Sequence, residues 1–181
     1  MAGDAPAGRT NDMTITELFQ GQLEREAKIT RGVLQRVPEG RNDWKPHEKS
    51  MPLGYLAHLV ATMPSWVTMT VKQDELDLNP PGGKKSWDQQ FKTNAEMLQA
   101  FDQAVAEAKA ALAGTSDAHL MTTWRLLVAG KTVSEDPRHV VLSDAVFCHL
   151  AHHRGQLTVY LRLNEMKVPS VYGPTADDQR F

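Results

Sequence analysis

From Met13 to Val37 apolar residues return every three or four positions, at Ile15, Leu18, Phe19, Leu23, Ala27, Val33, Leu34 and Val37, with Thr30 in the same series. That period marks the buried face of an α-helix. "PEGRNDWKPHEKSMP" breaks it with three prolines and a glycine. A second helix is expected from near Pro52, since proline suits the first helical turn, to about Asp77. Pro64 lies inside it and should kink or divide it. "LNPPGGKK" reads as a loop. A third helix is expected from Ser86, with Gln89 three residues on completing a capping box. Its stripe is Phe91, Ala95, Leu98, Phe101, Val105, Ala108 and Leu112, stopping at Gly114. Such a helix would be roughly 40 Å long at 1.5 Å per residue.

"TTWRLLVAGKTVSED" is of another kind. β-Branched residues flank Ala129-Gly130-Lys131, which suggests a short hairpin or extended connection. The fourth helix is expected from Pro137 or Arg138 to about Met166, followed by a tail punctuated with Pro and Gly. Residues 1–12 read as a flexible N-terminal tail and 13–181 as a single domain. Four long amphipathic helices predict an all-α four-helix bundle, an architecture that builds metal sites from side chains aimed inward.

Composition narrows the partners. The 181 residues suffice for one domain with a sizeable core. Twenty Lys and Arg against 22 Asp and Glu leave a formal charge of −2, which argues against nucleic acid or an anionic membrane as partner. The lone Cys148 excludes an internal disulfide framework and fits a reducing compartment. "MAGDAPAGRTND" lacks the apolar core of a signal peptide, and no uninterrupted apolar run is long enough to span a membrane. A soluble cytoplasmic protein is expected.

The candidate chemistry lies in "HLAHHRGQL", His149 to Leu157. At 100° per residue with His149 at zero, the buried stripe of the fourth helix centres near +30° to +40°. His153 falls at about +40°, and Gln156 and Tyr160 lie on the same face. His152, at about −60°, stands at the edge. An unpartnered buried imidazole costs about 1–3 kcal/mol, so two of them one turn apart need a reason. Two readings stay open. The pair is a good i,i+4 metal chelate, or it is two core histidines bonded to Tyr160, Gln156 or a carbonyl. A third ligand would have to come from another helix. His58, on the flank of the apolar face formed by Tyr55, Leu59, Thr62 and Trp66, is the best candidate. His47 in a charged loop, His119 outside a helix and His139 about three turns from the pair are weaker.

The pattern resembles the DinB superfamily, the DinB/YfiT-like group of metal-dependent four-helix-bundle proteins. The resemblance is carried by "HRGQLTVYLR" after His149, by "DWKPHEKSM" before the second helix and by "VPSVYGPTADD" at the end. It implies an up-down-down-up bundle and a three-histidine metal site on His58, His149 and His153. His152, Gln156 and Tyr160 would stand around the ligands or face substrate. The resemblance also implies a homodimer and a thiol-dependent transferase using a low-molecular-weight thiol.

Three neutral histidines leave a coordination position open, the layout of a catalytic metal site. All-nitrogen ligation suits a divalent transition metal, zinc first and nickel next. Joined with what the resemblance implies, the expected function is a metal-dependent S-transferase or hydrolase on a small molecule. The alternative is a non-enzymatic damage- or stress-inducible protein with a structural or sensory metal. No general base stands out. Glu26 lies close to the apolar stripe of the first helix but is expected to be exposed, and Arg154, near +140°, is expected off the buried stripe. The four tryptophans read as packing residues.

Overall fold

In the computed structural model, which describes residues 12–80, 82 and 90–180, the chain begins its first helix, α1 (Ile15–Leu34), at Thr14. The Thr14 hydroxyl accepts the Glu17 N–H (3.1 Å), and the Glu17 carboxylate accepts the Thr14 N–H (2.9 Å), a reciprocal capping box. The Asp117 carboxylate adds a second anchor by accepting the Ile15 and Thr16 N–H groups. These bonds satisfy amide donors that a helix start leaves open.

The second helical stretch is divided where Pro64 predicted a break, into α2 (Leu53–Thr62) and α3 (Ser65–Lys72). No side chain caps α2; its Leu53 and Gly54 N–H groups donate to the Trp44 and Asn42 carbonyls instead. The chain does not stay helical to Asp77. Arg138 ends α3 by donating to the Thr70 and Gln73 carbonyls, completing the last turn. Residues Glu75–Asp77 then form strand β1.

α4 (Asn94–Ala113) starts later than the sequence suggested, with the Thr93 hydroxyl accepting the Glu96 N–H at 3.1 Å. The predicted Ser86–Gln89 capping box lies outside the described residues. α4 is thus about 30 Å long, and its buried face runs through Met97, Phe101, Ala104, Ala108, Ala111 and Leu112. After a single turn, α5 (Asp117–Leu120), the predicted hairpin forms as β2 (Thr123–Val128) and β3 (Lys131–Pro137). Ala129 and Gly130, with φ of 51° and 76°, make the tight turn between them. The Asp77 carboxylate accepts both of their N–H groups (3.0 and 2.7 Å). β2 pairs antiparallel with β3 and parallel with β1.

This sheet overturns the expectation of an all-α, up-down-down-up four-helix bundle. The fold is mixed, with a three-stranded sheet in the order β1-β2-β3 set among the helices. The physical reason is range. β1 exists only because β2, some fifty residues on, supplies its hydrogen bonds, and a periodicity window cannot see such pairing.

The last helical stretch starts as one turn, α6 (Arg138–Val141), widens into a π-helical segment (Leu142–Cys148), and continues as α7 (His149–Leu163). The core has two parts. One gathers Val33, Leu34, Leu56, Val60, Phe101, Leu157 and Leu161. The other gathers Phe19, Leu23, Val67, Ala108, Leu112, Leu142 and Phe147, and Trp66 packs against both. Among the described residues, no helix is long and apolar enough to cross a membrane.

Candidate functional site

α7 opens on His149, directly after the π-helical segment, a local widening that often marks functional positions. His149 and His153 stand on successive turns with their Nε2 atoms 2.8 Å apart. His153 Nδ1 lies 2.8 Å from the Gln156 side-chain carbonyl, and the Gln156 amide nitrogen lies 3.1 Å from His152 Nε2. A carbonyl only accepts, so this network places the His153 proton on Nδ1 and leaves Nε2 bare toward His149. The Ala145 carbonyl, one turn back, also accepts a hydrogen bond from the His149 ring. Trp66 packs on that ring at 5.5 Å between centroids. Burial lowers the pKa of His149 and of His153, with Gln156 partly opposing it at His153. Both rings are held toward the neutral form that can donate a lone pair.

The remaining candidates separate clearly. His152 is exposed at the rim, joined to the pair through Gln156. The Tyr160 hydroxyl donates to the Met51 carbonyl (3.1 Å) and its ring meets Trp44 edge-on, so it braces the loop before α2. His58 packs on Phe91 at 4.9 Å between ring centroids, and its Nδ1 is buried with no partner. Burial lowers its pKa too. His58 thus lies apart from the pair, and among the described residues no three His, Cys, Asp or Glu side chains are grouped closely enough to hold a metal ion together. The donor chemistry nonetheless suits a transition metal: two neutral imidazoles converge, and a third, half-buried imidazole on the helix packed beside them has a buried, orphaned nitrogen. His47, His119 and His139 are engaged elsewhere, with the Lys49 N–H, the Val71 carbonyl and the Leu120 carbonyl.

His149 and His153 line a cavity of about 390 Å³. Leu59 and Trp66 form one wall, and Leu76, Trp124 and Leu126 of the sheet form another. The sheet that the sequence reading did not foresee in full is therefore part of the site.

Two expectations are corrected behind α7. Glu26 and Arg154 are buried, with relative exposures of 8% and 0%. Arg154 donates to the Glu26 carboxylate (2.6 Å), the Thr30 hydroxyl (2.9 Å) and the Tyr172 hydroxyl, and its guanidinium sits over the Tyr172 ring. The Tyr172 hydroxyl in turn donates to Glu26. The angular reading failed because it located the apolar stripe alone, whereas Arg154 fills a second buried face toward α1. The available signal was the pairing of Glu26 and Thr30 one turn apart on the stripe of α1.

The family model of the DinB superfamily matches residues 22–157, well over half of the chain. The chain belongs to the DinB superfamily. Its fold is similar to that of a DinB-like protein from Bacillus cereus ATCC 10987, at 21% identity and a TM-score of 0.67, covering 88% of this chain and 99% of that one. It is also similar to a DinB-like protein from Bacillus subtilis, at 16% identity and a TM-score of 0.62, covering 90% and 99%. No curated protein matches the chain.

Proposed function

We propose that this protein is a metal-dependent enzyme acting on a small molecule, with His149, His153 and His58 as ligands of a divalent transition metal, zinc or nickel. The observation that carries the reading is the convergence of two neutral Nε2 atoms, 2.8 Å apart, on the wall of an apolar cavity. Gln156 fixes the ring of His153, as partners around metal ligands commonly do. The bound ion would supply a Lewis acid able to stabilise a hydroxide or a thiolate near neutral pH. Transfer to or from a low-molecular-weight thiol, or hydrolysis, is the reaction class. Trp66 and the sheet wall the reacting region with apolar surface, and the orphaned Nδ1 of His58 gains a partner once its ring turns from Phe91.

A specific observation favours a second reading, a structural or sensory metal: no Asp or Glu among the described residues lines the cavity to serve as general base. Calorimetric titration of zinc and nickel into metal-stripped protein tests the site. One ion per chain is expected, lost in His149→Ala and His153→Ala and weakened about tenfold or more in His58→Ala. A wild type that takes up neither ion sinks the metal reading, and full affinity in His58→Ala removes that ligand. Large thermal stabilisation by metal with no thiol transfer or hydrolysis in any metal form selects the second reading.

A further inference from the structure

Among the described residues, no Lys, Arg, Asp or Glu lines the cavity beside His149 and His153. Two of its lining residues carry orphaned polar atoms. Trp124 and Thr70 have relative exposures of 5% and 0%, and the Trp124 indole nitrogen and the Thr70 hydroxyl are buried with no hydrogen-bond partner. Buried polar groups are normally satisfied, and each exception calls for a cause. An indole N–H only donates, so what it lacks is an acceptor.

We propose that this cavity binds an uncharged small molecule with an apolar body and a hydrogen-bond acceptor, such as a carbonyl oxygen, that meets the Trp124 indole N–H. Its walls of Leu59, Trp66, Met69, Leu76 and Leu126 match an apolar or aromatic body, and its volume of about 390 Å³ lies in the range of small-molecule sites. In the metal-free chain, a carboxylate or ammonium taken inside would lose its hydration with no opposite charge to meet it. The chamber walls are therefore suited to an uncharged molecule. This inference rests on the reading of the cavity as a substrate chamber, but not on metal being bound.

The test uses the full chain stripped of metal, at pH 8, with acetophenone, ethylbenzene and benzoate as calorimetric probes. Acetophenone and ethylbenzene are expected to bind, and benzoate at least about 30-fold more weakly than acetophenone, because its charge must be desolvated. Trp124→Phe should weaken acetophenone by about 3- to 10-fold and leave ethylbenzene unchanged, the size of one lost neutral hydrogen bond. Leu126→Trp, which fills the chamber from the sheet, should weaken both neutral probes. Equal effects of Trp124→Phe on the two neutral probes, benzoate binding as tightly as acetophenone, or no binding of either neutral probe would overturn the proposal. A wild type that binds acetophenone but no metal refutes the metal site and leaves this inference standing.

Discussion

Gln156 decides where the proton of His153 sits, and burial decides that His58, His149 and His153 prefer to carry no charge. This has a consequence for stability. In the unfolded chain these imidazoles titrate near 6.5; in the folded protein they titrate lower. Once the pH falls below about 6.5 the unfolded state binds more protons, so stability is present above that value and is lost as the pH drops toward the lowered folded values. Metal-stripped protein should melt at progressively lower temperature between pH 7 and pH 5. Carboxylates add their own slope, so the decisive comparison is with His58→Phe, whose melting curve should depend less on pH over that interval. An unchanged slope in calorimetry would show that the His58 imidazole is not responsible.

At the level of elements, three helix ends are held by atoms from elsewhere in the chain. Asp117 holds the start of α1, Arg138 the end of α3, and the Asn42 and Trp44 carbonyls the start of α2. The close approach at α2 requires Gly54. A Cβ there would lie 2.8 Å from the Asn42 Cβ and 2.9 Å from its Cγ. The Asn42 side chain is itself tied to the Phe91 carbonyl, so it cannot swing away freely. Gly54→Ala should cost about 1–3 kcal/mol in urea unfolding, with a lower melting temperature. Helix propensity alone gives the opposite sign, because alanine is the better helix former. A stabilised variant would show that the loop yields.

Across the whole molecule, Arg154 joins three distant segments: α1 through Glu26 and Thr30, α7 on which it sits, and the C-terminal residues through Tyr172. Asp177 extends the same strap by pairing with Arg162 and accepting the Val168 N–H, while the Thr175 hydroxyl donates to the Val168 carbonyl. Removing one member of a buried ion pair strands the other, so Arg154→Ala should destabilise by about 3–5 kcal/mol. Tyr172→Phe should cost less, about 1–3 kcal/mol, because the Arg154–Glu26 contact survives. In the paired change Arg154→Met with Glu26→Leu, no charge is left stranded, and the loss in denaturant titration should be smaller than for Arg154→Ala alone. A larger loss would mean that the tail depends on the charges rather than on the packing around them.

Local periodicity determined much of this protein by itself. The stripe of α1, the break at Pro64, the turn at Ala129-Gly130 and the shared face of His149 and His153 all follow from spacing, because each depends on atoms within a few residues. Three features were decided only in three dimensions. β1 forms because a distant strand supplies its hydrogen bonds, and Arg154 is buried because Glu26 and Tyr172 meet it from opposite ends of the chain. His58 faces Phe91 because a flank position on α2 leaves its ring a choice of neighbours, and tertiary packing makes that choice.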